Sequence, residues 1–189
     1  ARREFFAAHG LNEKTRYFAS TGIEGRSAPV NSLVTVDALS IGNLAPGQIQ
    51  RMDALDHMPR TIDYGVTFER GLRVRFGDRS HLYVSGTASI DARGRIAHPG
   101  DVQRQTERTV ENLSALLRTQ GARPDDLMYL FVYVRDFHDV QTVRGALAGL
   151  IDERCPVLYL HASVCRPGWL VEMEGTALVP DRTDYLAFR

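Results

Sequence analysis

Leu127-Met-Tyr-Leu-Phe-Val-Tyr-Val134 is an unbroken apolar and aromatic run, the pattern of a strand covered on both faces at the centre of a sheet. Its flanks read as helices. On the N-terminal side Asp101 caps a helix in which Val102, Thr106, Val110, Leu113 and Leu117 recur at spacings of three and four, an amphipathic stripe. Gly121 ends that helix and Pro124 reinforces the stop,. On the C-terminal side Asp139 is placed to cap a second helix, Val140 to about Glu153, with Val143, Leu147, Leu150 and Ile151 facing inward,.

Further out the chain is extended again. His81-Leu-Tyr-Val-Ser85 reads as a strand that ends in Gly86 and resumes over Thr87–Ile90. Asp91-Ala-Arg-Gly94 is a turn before a short strand at Arg95–Ala97,. After the second helix, Pro156 precedes a strand Val157–Val164, and Arg166-Pro-Gly168 turns the chain into a last strand, Trp169–Val179. This order predicts an α+β domain over residues 62–180, a mixed sheet with helices 101–120 and 140–153 on one face. The other face needs its own cover, which points to a homo-oligomer. Residues 181–189 read as a tail.

The first 60 residues carry a quieter signal. Ala1–Leu11 reads as the end of a helix, Thr15–Ile23 as a strand and, after a Gly/Ser/Pro loop, Leu33–Ile41 as another. Helix, strand, turn and strand in that order mirror residues 140–179, and Leu33-Val-Thr-Val-Asp37 can be laid over Leu170-Val-Glu-Met-Glu174,. Residues 1–45 then read as a degenerate partial copy of the domain and 46–61 as a linker. Short hairpins also resemble one another by chance, and that alternative stays open. The chain opens on Ala1, inside a helix, as a piece of a longer protein would.

Composition narrows the function. Hydrophobic residues make up 43% of the 189 and charged residues 24%, with Lys+Arg and Asp+Glu equal at 23 each. Nucleic-acid binding needs clustered, uncompensated cations. The run Arg70, Arg73, Arg75, Arg79 is interleaved with Glu69 and Asp78 and reads as a solvated strand face. No stretch approaches the roughly 20 apolar residues of a membrane span, and no signal peptide is visible. Two cysteines, Cys155 and Cys165, make neither a disulfide framework nor a zinc motif, so a reduced cytoplasmic protein is expected. The six histidines include no pair at helical ligand spacing, and no metal is expected.

Residues 81–135 carry a resemblance. Leu82-Tyr-Val-Ser-Gly-Thr87, Gly100-Asp-Val-Gln-Arg-Gln-Thr106, Glu111-Asn-Leu113, Gly121-Ala122 and Val132-Tyr-Val-Arg-Asp136 follow the order and spacing of the RidA/YjgF superfamily. Leu170-Val-Glu-Met-Glu174 is similar to its final strand. More narrowly, Phe68-Glu-Arg-Gly71, Ser85-Gly-Thr-Ala-Ser-Ile90 and Cys165-Arg166 followed by Leu170-Val-Glu172 resemble the RidA-like domain of chorismatases, which also carry a degenerate domain in front. The resemblance implies a RidA/chorismate-mutase-like fold, a trimer or trimer-like arrangement, and a cleft between neighbouring domains that takes a small molecule. In the superfamily that cleft hydrolyses enamines and imines. In chorismatases it removes pyruvate from chorismate by acid–base chemistry without a cofactor. One departure stands out. Imine-hydrolysing members place a carboxylate-binding arginine two residues after the proline that opens the penultimate strand. Here the candidates for that position are Leu158 and Val157, neither a cation.

The candidate site residues follow. Glu172 is a carboxylate on an otherwise apolar strand, costly to bury unless paired or protonated. Partial burial would raise its pKa into the range of a usable acid or base, and the resemblance puts the superfamily's water-positioning glutamate here. Glu174 shares its parity, whereas the partial copy has Thr35 and Asp37 at the matching positions. Ser85, Gly86 and Thr87 are expected to line the cleft through backbone groups, Gly86 permitting close approach; a strand bulge is the alternative. Arg166, then Arg70 and more weakly Arg135, are candidates for the missing cation. Tyr159 and His161 share a strand face, and His161 is either a proton-transfer group or a satisfied surface polar residue. Cys165 is a candidate substrate contact or nucleophile, with a structural thiol as the alternative. The expected function is a cofactor-independent lyase, hydrolase or cyclase acting on an enol ether, enamine or imine in specialised metabolism. An ordinary imine deaminase and a non-catalytic small-molecule-binding protein are the alternatives.

Overall fold

The structure, a computed structural model, describes residues 2–25 and 31–188. Its elements run α1 (Arg2–Ala8), β1 (Ile23–Glu24), β2 (Ile49–Arg51), β3 (Gly71–Arg75), β4 (Arg79–Ala88), α2 (Val102–Arg118), β5 (Leu127–Val134), α3 (Val140–Leu147), β6 (Val157–His161), β7 (Ser163–Val164) and β8 (Val171–Pro180). Six strands make one mixed sheet in the order β2-β3-β4-β8-β5-β6, and β1 pairs separately with β7. Only β5–β6 is parallel within the large sheet, joined by the α3 crossover; β3–β4, β4–β8 and β5–β8 are antiparallel.

Both long helices lie on the same sheet face, as the crossover handedness predicts. Val110, Leu113, Leu116 and Leu117 of α2 and Val143 and Leu147 of α3 share one core with Leu82, Val84, Leu130, Val132, Val134, Val171, Met173 and Ala177 of the strands. Alternation along β8 therefore sends Glu172, Glu174 and Thr176 to the opposite, helix-free face. That face is rich in rings and aliphatic groups: Tyr83, Tyr129, Phe131, Leu158, Leu160 and Leu178, with Tyr129 and Leu158 well exposed.

The α2 cap is as expected, with Asp101 accepting from the Arg104 N–H at 2.9 Å. Its buried face also carries polar anchors that periodicity does not suggest. Gln105 donates to the His98 and Gly168 carbonyls and accepts from the Leu170 N–H, tying the helix to the turn before β8. Asn112 donates to the Ala88 and Ile90 carbonyls where β4 ends. Such bonds offset the cost of burying amides.

Several expectations are corrected. Asp139 makes no side-chain cap; Asp136 accepts from the His138 N–H and starts a 3-10 turn ahead of α3. Helix α3 stops at Leu147 rather than Glu153: Ala148 turns extended, with ψ 124°, Gly149 then takes φ +81°, and Leu150 stays exposed. The N-terminal hairpin does not form. Leu33–Ile41 builds no strand and stays open to solvent, Val34 at 75% and Val36 at 80% exposure. High β-propensity is a preference for a pleated, half-buried surface, and among the described residues no neighbouring strand supplies one there. Most of the Gly/Ser/Pro loop, 26–30, lies outside the described residues. Residues 15–24 instead thread along the large domain, through an Ala19–Glu69 bridge and the β1–β7 pair. The stretch read as a linker contains β2, which extends the sheet beside β3. The C-terminal tail is fastened too: Asp181 accepts from Arg73, Arg75 and Ser80. Among the described residues no helix is long and apolar enough to cross a membrane.

Candidate active site

The site forms where β4 breaks step with β8. The register shifts between Val84 and Thr87, which bulges Ser85 and Gly86 out of the ladder. Ser85 is held on both sides: its hydroxyl donates to the Glu69 carbonyl at 2.6 Å and accepts from the Ser20 N–H at 2.9 Å. Thr87 turns its hydroxyl back to the Ser85 carbonyl. These hydroxyls fix the bulge, and the surface presented to the site is the Gly86 backbone. A Cβ at position 86 would overlap Glu172 Oε1 and come within 2.8 Å of Thr21 Cγ2, so the glutamate lies in space that only glycine leaves free.

Glu172 is 4% exposed, and its Oε2 is buried without a hydrogen-bond partner among the described residues. Burial, reinforced by the neighbouring Glu174 and opposed by Arg70, pushes its carboxyl up to about 7. An acid that ionises near neutrality, with one oxygen free, can give a proton to a substrate atom and take one from water. Glu174 lies beside it on the same face with both oxygens engaged, Oε1 by the Tyr133 hydroxyl and Oε2 by the Thr21 hydroxyl. Thr21 in turn accepts from the Gly86 N–H at 2.8 Å. Burial and the Glu174 contact hold the Tyr133 phenol well above its ordinary range.

Two cations stand near. Arg70, 4% exposed, lies 5.3 Å from the Tyr64 ring centroid and 5.7 Å from that of Phe68. It donates to the Pro59 carbonyl in two long hydrogen bonds of 3.4 Å and is also hydrogen-bonded to the Tyr64 side chain. Arg166 lies 5.4 Å from the Tyr64 ring and 5.1 Å from that of Trp169. Tyr64 thus has two guanidinium groups near its ring, which partly counter the upward push of burial on its phenol. The Trp169 indole N–H is buried and unpaired among the described residues. Together these groups offer donors and positive charge beside the Glu172 carboxyl.

The remaining sequence candidates fall elsewhere. Arg135 donates to the Trp169, Val164 and Arg166 carbonyls at 2.6–2.8 Å. It braces the turn that carries Arg166 rather than facing the cleft. Tyr159 packs on the helix side with Arg144 5.5 Å from its ring. His161 has the same parity and pairs with Val134, so it lies across the sheet from Glu172, exposed beside Phe137. The Cys165 thiol donates to the Gly22 carbonyl at 2.8 Å; burial and Glu172 raise its pKa, the reverse of what a nucleophile needs. Tyr64, Thr21 and Tyr133 are the site residues the sequence reading missed. Tyr133 was legible only as one ring in an apolar strand, and Thr21 reaches the site through a tertiary contact with no local signature.

Residues 74–179 match the family model described as Endoribonuclease L-PSP. A chorismatase from Streptomyces rapamycinicus is 34% identical over 107 residues, 52% of this chain and 32% of the relative. The chain thus spans about a third of that relative's length. Among solved structures, a chorismatase matches with a TM-score of 0.63 at 27% identity, over 69% of this chain and 44% of the other. A RidA protein from Psychrobacter sp. PAMC 21119 matches at 0.58 and 19% identity, over 69% and 99%. At that identity the second likeness speaks for the fold alone.

Proposed function

The chain belongs to the Endoribonuclease L-PSP (RidA/YjgF) family, and from that premise we propose that it is a cofactor-independent acid–base enzyme of the chorismatase kind, acting on a small carboxylated enol ether. The observation that carries this reading is Glu172, buried against Gly86 with a carboxyl that ionises near neutrality. Hydrolysis of an enol ether begins with protonation of its terminal methylene carbon. Glu172 donates that proton, water adds at the oxygen-bearing carbon, and the glutamate recovers a proton from the water. The resulting hemiketal breaks its C–O bond to release an alcohol and a keto acid. Arg70 and Arg166, both beside Tyr64, hold the substrate carboxylate, replacing the cation absent at Val157 and Leu158. The chorismatase likeness supports a role in specialised metabolism.

An ordinary imine deaminase is the second reading, favoured by the presence of cations near the glutamate despite the departure at Leu158. A purely ligand-binding role fits less well, because it predicts an exposed Glu172 with no cation nearby. We also propose that the helix-free face, with Tyr129 and Leu158 exposed, is covered in a homo-oligomer, a trimer or trimer-like assembly.

The experiment is a coupled assay of pyruvate release from chorismate, run beside a panel of imino acids. General acid–base groups contribute about 10²–10⁴-fold, so Glu172→Gln should lose that much turnover while substrate still binds. Imino-acid hydrolysis without pyruvate release would favour the deaminase; undiminished turnover in the Gln variant would reject Glu172 as the acid.

A further inference from the structure

The helix-free face holds two carboxylates two residues apart, and their surroundings are unequal. Glu174 has both oxygens taken by hydroxyl donors from separate elements, Tyr133 on β5 and Thr21 on the N-terminal segment. Glu172 has one oxygen pressed against Gly86 and the other buried with no donor among the described residues. Hydrogen bonds donated to a carboxylate favour its charged form, and neighbouring like charges disfavour a second ionisation. A pair arranged in this way divides acid and anion between its members.

We propose that Glu174 is a positioning residue of this active site, its two oxygens clamped by Thr21 and Tyr133 so that Glu172 is the carboxyl of the pair left free to carry a proton. The proposal deepens the reading of Glu172 as the catalytic acid and rests on it for its functional meaning. It gives the N-terminal segment a task. Thr21 accepts from the Gly86 N–H and donates to Glu174, so one hydroxyl couples the bulge, Glu174 and a segment that is remote in sequence. The other groups facing the pair are Arg70, which pulls Glu172 toward ionisation, and Tyr64 and Cys165, whose phenol and thiol feel its charge; Arg166 stands beyond Tyr64.

Carboxyl-carbon NMR titration of the whole chain tests this without any substrate. The signal that titrates near neutrality should vanish in Glu172→Gln, identifying it as Glu172. In Glu174→Gln its midpoint should fall by about one pH unit, burial keeping it above the ordinary carboxylate range. Thr21→Val combined with Tyr133→Phe should spread the near-neutral step over both carboxyl signals, as expected of a coupled pair that has lost its asymmetry. Thr21→Ser, which keeps the hydroxyl, should titrate like the parent. If the double variant does not fold, Glu174→Gln and Thr21→Ser decide between them. An unchanged Glu172 midpoint in Glu174→Gln, or a near-neutral step borne by Glu174 in the parent, would overturn the proposal. The two readings fail separately: full turnover in Glu172→Gln with these titrations intact rejects catalysis by Glu172 and leaves the pair's asymmetry standing.

Discussion

Replacing Glu172 with Gln keeps the shape of the side chain and removes its titration, and the consequence for stability can be worked from the site. The folded carboxyl is raised from 4.5 to about 7. A group whose pKa is higher folded than unfolded contributes stability that is present at low pH and lost as pH rises toward the folded value. At 1.36 kcal/mol per unit, the parent should lose about 3 kcal/mol between about pH 4 and pH 8 from this group alone. Other groups titrate in the same window, notably His81, whose pKa burial lowers. The quantity to measure is therefore the difference between parent and variant, in which common groups cancel. With a urea slope of about 2 kcal/mol/M, the midpoint of Glu172→Gln should gain about 1.5 M on the parent's over that range. A pH-independent difference would refute the argument, since Glu172 would then ionise alike in the folded and unfolded chains.

Three other expectations are independent of that one. Gly86→Ala should destabilise by about 1–3 kcal/mol and displace Glu172, because the new Cβ would overlap its Oε1,; thermal unfolding together with activity checks it. Asp181→Ala removes the acceptor shared by Arg73, Arg75 and Ser80 and should cost about 1–3 kcal/mol. Because Asp181's pKa is depressed by these partners, the parent's advantage should be present above its unfolded value near 3.8 and fade as pH falls below it, readable by urea unfolding. Leu158→Arg places a charge on the exposed helix-free face and should lower the oligomeric state by light scattering; an unchanged mass would argue that this face is not the interface.

The fold was legible because its signals are local. The apolar run at 127–134, the α2 stripe and the turns at Gly121 and Arg166-Pro-Gly168 each declare an element without reference to distant residues, and the structure bears out their order and the shared face of the helices. The first 45 residues misled for the same reason. Leu33–Ile41 has strand composition, but a strand exists only with a neighbour, and composition does not say whether one is present. At the site, Glu172 was legible as a carboxylate out of place in an apolar strand, and Gly86 as a glycine inside one. Tyr159 and His161 share a strand face by parity, but parity gives two faces without saying which is which. Only the parallel register of β6 with β5, and Tyr159's packing against the helices, decides it. Thr21 and Tyr64 come from segments tens of residues away, and their roles exist only in three dimensions.

The central claim, that Glu172 works as a proton donor, is tested most directly by the pH dependence of kcat for the enol ether substrate. A donor must carry its proton, so turnover should hold on the acid side and fall about tenfold per pH unit above a midpoint near 7,. A rate unchanged from about pH 5 to pH 9, or one that rises through neutrality, would contradict it.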